Sequence, residues 1–145
     1  MKYWDSSALI PLVVDQPNRS RLVDLLVEDA GVVTWWATLV ECTSAVSRLE
    51  RDGALRPEEA ATSLADLDRF AGSWKEIEAT AATRRHALRL LRVHPLRAGD
   101  ALQLAAALVA CEGDPRTLPF VTLDDRLALA AQREGFPVTT FDLDS

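Results

Sequence analysis

The chain has 145 residues, a length that fits one domain able to bury a core without disulfides or metal staples. Apolar residues make up 48% and charged residues 26%, which are ordinary values for a globular protein and exclude a disordered or fibrous chain. The formal net charge of −6 argues against a protein that coats nucleic acid nonspecifically.

Several features favour a soluble, cytoplasmic protein. The longest strongly apolar stretch, Ala101 to Cys111, is far shorter than the roughly 20 residues of a membrane span. The N-terminus reaches Asp5 without an apolar segment, which excludes a signal peptide. Cys42 and Cys111 lie far apart in apolar helical contexts, so we interpret them as reduced core residues rather than a disulfide.

Strands and helices are expected to alternate along the chain. In chain order we predict a strand at Lys2 to Trp4, helices at Ser6 to Val14 and Asn18 to Asp29, a strand at Val32 to Thr34, helices at Thr38 to Asp52 and from Pro57 onward, a strand at Lys75 to Glu78, helices at Thr80 to Val93 and Ala98 to Cys111, a strand at Pro119 to Leu123, a helix at Asp124 to Glu134 and a strand at Pro137 to Phe141. Pro11 is compatible with the first of these helices if it occupies the first turn. Such alternation predicts a single α/β domain with a mostly parallel sheet covered on both faces.

Two acidic residues are predicted to end strands. Asp5 follows the first strand, and Asp124 follows the strand that begins at Pro119. The functional crevice of a parallel sheet lies at the carboxyl ends of its strands, which favours a role for both acids. Each also begins a helix, where an aspartate is an ordinary N-cap stabilised by the helix dipole, so a purely structural role stays open for either.

Two further acids belong to predicted helices. Asp100 begins a run that is apolar on nearly every helical face, so its carboxylate is expected to be partly desolvated, although an N-cap role is equally open. Glu41 points away from the apolar stripe of its helix, toward the side of Thr38, Ser44, Ala45 and Arg48. It is either a solvent-facing residue, alone or paired with Arg48, or part of a cleft, and the sequence alone does not decide.

Acids converging on one crevice would suit a hard divalent cation. Mg²⁺ prefers oxygen ligands, usually a few carboxylates together with water and phosphate oxygens. Such a site would assist the attack of water on a phosphodiester.

Three stretches resemble the acidic motifs of PIN domains. They are Tyr-Trp-Asp-Ser-Ser-Ala-Leu at the N-terminus, Leu-Arg-Ala-Gly-Asp-Ala-Leu-Gln-Leu-Ala-Ala-Ala-Leu around residue 100, and Phe-Val-Thr-Leu-Asp-Asp-Arg-Leu-Ala-Leu-Ala-Ala followed by Gly135. The helix carrying Glu41 occupies the place of the second acid. In order, spacing and length, the whole chain is similar to the VapC toxins of type II toxin–antitoxin systems.

The resemblance implies one PIN domain over residues 1–145, an α/β/α sandwich, and a Mg²⁺- or Mn²⁺-dependent endoribonuclease. The implied catalytic residues are Asp5, Glu41, Asp100 and Asp124. Asp5 and Asp100 would be the main metal ligands, while Asp124 and Glu41 complete the metal's coordination, partly through water, and orient the nucleophile. Supporting hydroxyls would come from Ser6 and Thr122. The implied partners are an RNA substrate, a small antitoxin and a second copy of the chain.

The chain departs from the family pattern at two points. Many relatives have a histidine where this chain has Gln103, which alters a hydrogen bond near the site but removes no carboxylate. Asp125 follows Asp124 directly, so the fourth acid is ambiguous by one residue. We choose Asp124, because it directly follows the strand and Asp125 would be rotated by roughly 100° in the helix.

Two other functions are weighed against the leading one. The first is an inactive or non-toxin PIN-like domain that only binds RNA or protein, against which the four acids argue. The second is phosphoryl transfer through an aspartate, as in haloacid-dehalogenase-like phosphatases. It needs an acid two residues after Asp5, where Ser7 stands, and is rejected.

Basic, histidine and tryptophan residues are assigned lesser roles. Arg85, Arg89 and Arg92 share one helical face, which is either a solvated surface or a contact for RNA or an antitoxin. His86 and His94 are interpreted as non-catalytic. Trp35 and Trp36 are expected to pack in the core rather than to stack on bases.

Overall fold

A computed structural model describes residues 1–139 and 141 of the chain. Its strands and helices are β1 (Lys2–Trp4), α1 (Ser6–Val13), α2 (Arg19–Glu28), β2 (Val32–Trp35), α3 (Thr38–Arg51), α4 (Pro57–Ala71), β3 (Lys75–Ile77), α5 (Ala81–Val93), α6 (Ala98–Ala110), a 3₁₀ turn at Pro115–Thr117, β4 (Phe120–Val121) and α7 (Asp125–Arg133). The four strands form one parallel sheet in the order β3-β2-β1-β4. The predicted alternation and parallel sheet are confirmed.

Helices cover both faces of this sheet, because successive strand residues point to opposite sides. Tyr3, Trp35 and Phe120 pack with helices α5, α6 and α7 in one hydrophobic cluster. Trp4 and Val121 pack on the opposite face with α1, α2, α3 and α4. The protein is therefore an α/β/α sandwich, as expected.

Helix α1 differs from the prediction in the place of its proline. Pro11 lies in the interior of the helix rather than in its first turn. Proline has no N–H to donate to the carbonyl four residues earlier, so the helix lacks one hydrogen bond at this point. The guanidinium of Arg19 donates to the carbonyls of Pro11 and Leu12, at 2.9 and 2.7 Å, and satisfies acceptors that the ending helix leaves free.

Strand β4 is shorter than the predicted strand from Pro119 to Leu123. The N–H of Leu123 is bound by the hydroxyl of Ser7, and the N–H of Asp124 by the hydroxyl of Thr122, so both leave the sheet ladder. The predicted strand at Pro137 to Phe141 falls partly outside the described residues. Within them, Val138 forms an isolated parallel bridge to Phe120.

The structure tests the predictions for the cysteines and the tryptophans. Cys42 and Cys111 are free and buried. Trp35 is buried, whereas Trp36 is 57% exposed, so the prediction that both pack in the core is wrong for Trp36. Its ring meets that of Trp35 edge-on, and the rest faces solvent because the chain turns between β2 and α3. In the described part of the chain, no helix is long and apolar enough to cross a membrane.

Candidate active site

Four carboxylates from different elements meet at the carboxyl edge of the sheet. Asp5 follows β1 and caps α1, while Asp124 follows β4 and caps α7. Glu41 lies in the first turn of α3, and Asp100 in the first turn of α6. They line one open cleft of about 670 Å³. The cleft is bounded by Asp5, Ser6, Ser7, Ile10, Val40, Glu41, Ser44, Ala45, Arg48, Arg97, Gly99, Asp100 and Asp124.

Asp5 is the most deeply buried of the four acids, since only 3% of the residue is exposed. Its Oδ1 accepts from the backbone N–H of Ala8 at 3.3 Å, so it serves both as a helix cap and as a wall of the cleft. Burial raises the pKa of the Asp5 carboxyl to about 7, and the neighbouring Asp124 adds to the rise. Donors on Ser7, Thr122 and the backbone of Ala8 offset part of it.

A chain of hydrogen bonds joins Asp5 to the start of α7. The Ser7 hydroxyl donates to Asp5, at 2.8 Å from Oδ1 and 3.0 Å from Oδ2, and accepts from the N–H of Leu123 at 2.9 Å. The Thr122 hydroxyl lies within hydrogen-bond distance of Ser7, with 3.2 Å between the two oxygens. Thr122 Oγ1 in turn accepts from the N–H of Asp124 at 3.0 Å. Strand β4 and helix α1 are thereby fixed to each other beneath the two acids.

Glu41 faces the cleft rather than open solvent. Its Oε2 accepts from the hydroxyl of Ser6 at 2.7 Å and from the amide of Gln103 at 3.1 Å. Its Oε1 lies 3.8 Å from the position that a Cβ on Gly99 would occupy. Thr38 lies on the same side as Glu41, as expected, since its hydroxyl accepts from the same Gln103 amide at 3.0 Å, and it is fully buried.

Asp100 is partly buried, and it does not cap its helix. The N-cap of α6 is Arg97, so the alternative that Asp100 is an N-cap is wrong. Burial raises the pKa of the Asp100 carboxyl, and the charges of Asp124 and Glu41 raise it further, while Arg97 lowers it. The mutual influence of these acids shows that they share one electrostatic environment.

The structure separates Asp124 from Asp125. Asp124 accepts the N–H of Leu127 at 2.9 Å and lines the four-acid cleft, whereas Asp125 is exposed in the first turn of α7. Asp125 lines a smaller adjoining cleft of about 380 Å³, together with Arg97, Asp100, Asp124 and Arg126. This placement matches the predicted rotation of Asp125 within the helix, although β4 ends at Val121, before the predicted strand end at Leu123.

The donor set suits a hard cation that keeps part of its water. In the part of the chain that the structure describes, none of the four carboxylates forms an ion pair, and their hydrogen bonds come from neutral donors. Among these residues no group of three His, Cys, Asp or Glu side chains is arranged to hold a metal ion alone. Mg²⁺ commonly binds through one or two carboxylates and takes its other ligands from water and substrate phosphates. The residues present fit that mode.

Some residues of this site escaped the sequence analysis. Ser7 was considered only as evidence against a phosphatase, yet it binds Asp5 directly. A hydroxyl two residues after a strand-ending aspartate is the signal that would have indicated it. Tyr3, predicted only as part of a strand, donates to Gln103 Oε1 at 2.6 Å, on the face of the sheet that α6 covers.

The basic face of α5 lies apart from the cleft lining. Arg89 binds Glu134 with its two terminal nitrogens, at 2.6 and 3.3 Å. His94 is buried and contacts the same carboxylate at 2.7 Å, which agrees with its non-catalytic interpretation. Arg85 and Arg92 are exposed. The arginines at the clefts are Arg48, which the sequence placed beside Glu41, together with Arg97 and Arg126, which the sequence did not indicate as cleft residues.

Comparison with known proteins identifies the family. The family model of the PIN domain matches residues 2–133. The chain belongs to the PIN domain family. It is also 30% identical, over 142 residues, to Ribonuclease VapC45 and Ribonuclease VapC49 from two strains of Mycobacterium tuberculosis, covering 98% of this chain and 96% of each relative. It is therefore a PIN domain of the VapC type.

Solved structures share the fold of this PIN domain at low sequence identity. VapBC2 from Rickettsia felis, bound to a DNA fragment from their promoter, matches with a TM-score of 0.65 and 14% identity over 98% of this chain and 100% of that chain. FitAcB from Neisseria gonorrhoeae matches with a TM-score of 0.63 and 18% identity, over 97% of each chain. PAE2754 from Pyrobaculum aerophilum matches with a TM-score of 0.60 and 20% identity, over 90% of this chain and 79% of that chain.

The buried Asp5 predicts an unusual pH dependence for the metal-free PIN domain. Its folded-state pKa lies above the unfolded-state value, so between about pH 4 and pH 7 the folded state binds more protons. The free energy of unfolding should therefore fall as pH rises through this range, by a few kcal/mol from Asp5. Asp5→Asn removes this loss and keeps the helix cap. We expect it to stabilise the protein at pH 8 more than at pH 5, in urea denaturation with a chelator present.

Asp125→Asn is the matched control, because Asp125 is exposed, and its effect should be small and similar at both pH values. An Asp5→Asn variant that destabilises equally at pH 5 and pH 8 would contradict the prediction.

Proposed function

We propose that the protein is the toxin of a type II toxin–antitoxin system and a metal-dependent endoribonuclease. The observation that carries this proposal is the convergence of four carboxylates, without an ion pair in the described part of the chain, on one open cleft. The VapC relatives are named ribonucleases, which supports the reaction class.

The cation would be bound directly by one or two of the carboxylates of Asp5, Asp100 and Asp124, while the remaining ones and Glu41 would act through water. Mg²⁺ and Mn²⁺ suit these oxygen ligands. When bound, such an ion polarises a phosphodiester and makes water a stronger nucleophile. The raised pKa of Asp5 means that cation binding displaces a proton near neutral pH, so the affinity should rise with pH.

The protein residues divide the remaining work. Glu41 Oε2 is occupied by two donors, which leaves Oε1 to orient the attacking water and accept its proton. Attack forms one P–O bond to water and breaks one P–O ester bond of the RNA. The Ser7 and Thr122 hydroxyls hold Asp5 and the backbone of Asp124 in place during this step.

Three arginines are proposed to bind the RNA backbone. Arg48 lines the four-acid cleft from α3, Arg97 lies between the two clefts, and Arg126 lines the smaller one. All three are exposed, and none forms an ion pair among residues 1–139 and 141. Arginine binds phosphate in a bidentate way, so these side chains suit phosphates on either side of the scissile one.

An antitoxin is proposed as the protein partner. The VapC resemblance implies a small neutralising protein, and VapBC2 and FitAcB are solved relatives in fold. Arg85 and Arg92 remain available to an acidic segment, whereas Arg89 is committed to Glu134. The homodimer implied by the resemblance stays a prediction.

Removing single charges from the cleft tests the catalytic assignment. Asp5→Asn and Asp100→Asn keep the side-chain shape but lose the charge that a hard cation needs, so each should abolish Mg²⁺- or Mn²⁺-dependent cleavage of RNA while the circular dichroism stays native. Asp124→Asn should weaken Mn²⁺ binding in isothermal titration. Asp125→Asn is its matched control and should cost only a few tenths of a kcal/mol of helix stability.

Loss of Mn²⁺ binding in Asp125→Asn but not in Asp124→Asn would move the fourth ligand by one residue. Native RNA binding without cleavage by the wild type, under either metal, would favour the inactive binding module.

The cleft arginines should act on binding rather than on chemistry. Arg48→Gln, Arg97→Gln and Arg126→Gln are each expected to raise KM several-fold and to reduce the salt dependence of RNA binding by about one unit of slope. Arg85→Gln on α5 is the matched control and should change neither quantity. The opposite pattern would place the RNA on α5 instead.

The toxin assignment predicts growth arrest that a neighbouring gene relieves. Expression of the wild type should stop growth, and co-expression of the adjacent small reading frame should restore growth. The product of that reading frame should co-purify with the chain. Asp5→Asn separates the two effects, because it should not arrest growth yet should still bind the partner. Neither rescue nor co-purification would defeat the toxin–antitoxin assignment.

A further inference from the structure

Gln103 is buried between the core and the candidate active site, and it is only 1% exposed. Its side chain makes three hydrogen bonds within the protein. Because the residue is buried, solvent does not explain why an amide stands in an otherwise apolar helix. Oε1 accepts from Tyr3, while Nε2 donates to Thr38 and to Glu41. A glutamine with all of these contacts is held in one orientation.

The direction of every bond in this network follows from counting hydrogens. Thr34 donates to the carbonyl of Trp4 at 2.7 Å, so the Thr38 hydroxyl must donate to Thr34 Oγ1, also at 2.7 Å. Thr38 Oγ1 is then free to accept from the Gln103 amide. A flipped amide would set its carbonyl oxygen against the Glu41 carboxylate and leave two buried acceptors without a donor.

We propose that Gln103 is a positioning residue, oriented by Tyr3, that sets which oxygen of Glu41 faces the active-site cleft. The Gln103 amide and the Ser6 hydroxyl both bind Oε2. Oε1 receives neither of these bonds and lies toward Gly99, which lines the cleft together with Glu41. This inference rests on the proposed function, because it gives Glu41 its role toward water.

Two variants test the inference against the wild-type protein. Gln103→Met keeps the length of the side chain but none of its hydrogen bonds. Tyr3→Phe keeps Gln103 and Glu41 and removes only the donor that orients the amide. We expect Gln103→Met to lower kcat for Mn²⁺-dependent RNA cleavage by about 10- to 100-fold. Tyr3→Phe should give a smaller loss, and KM should change little in both.

Ser63→Ala is the control for loss of a buried hydrogen bond away from the cleft, because the Ser63 hydroxyl donates to the carbonyl of Val13. It should lower the melting temperature and leave kcat unchanged. A role in stability alone would instead make kcat insensitive to Gln103→Met and Tyr3→Phe. That result would overturn the inference, and where Gln103→Met fails to fold, Tyr3→Phe decides.

A second readout needs no activity. In nuclear magnetic resonance spectra of the metal-free protein, the two Gln103 amide protons should be distinct and slow to exchange. Glu41→Gln should shift them, and Tyr3→Phe should speed their exchange. The inference would be overturned if neither Glu41→Gln nor Tyr3→Phe changed the shifts or the exchange rates of these amide protons. A wild type that cleaves no RNA, with these signals as expected, would defeat the proposed function while the geometry of Gln103 stands.

Discussion

The burial of carboxylates without basic partners governs the architecture of the candidate active site. A buried ionised acid is costly unless donors or a cation compensate it. Here the hydrogen bonds to the carboxylates come from neutral groups, namely hydroxyls, one amide and the N–H groups at helix starts, while the charge of Arg97 favours ionised Asp100 without an ion pair in the described chain. Neutral donors orient a carboxylate without cancelling its charge. The acids of the cleft therefore stay available to a cation, because no arginine in the described chain forms an ion pair with them.

The alanine-rich sequence of α6 follows from the same requirement. Ala101, Ala105 and Ala106 are fully buried, and their small side chains let the helix approach the sheet closely. That approach allows Gln103 to reach Tyr3 on β1 at 2.6 Å while its amide reaches α3. Gly99, four residues before Gln103, is another small residue of this helix and lies beside Glu41. Core packing and the orientation of a functional carboxylate are thus set by one helix.

Local rules predicted the order of elements and failed where tertiary contacts decide. Glu41 carried no local signal, because its partners Ser6 and Gln103 are 35 and 62 residues away. Strand β4 was overpredicted, since β propensity cannot indicate that side-chain hydroxyls bind the last N–H groups. The four acids were identified through resemblance to PIN domains, and their hydrogen-bond networks required the structure.

The charge pattern shows why spacing along the chain is a poor guide to a binding surface. The arginine-rich stretch of α5 indicates a binding surface because its residues are close in sequence. Arg89, however, binds Glu134 at the end of α7. Arg48, Arg97 and Arg126 are scattered in sequence and adjoin the acidic clefts. An anionic cleft repels a polyanion over roughly a Debye length, about 8 Å at physiological salt. Cations beside the acids offset that repulsion without entering the metal site, so a protein with a net negative charge can still bind a nucleic-acid backbone.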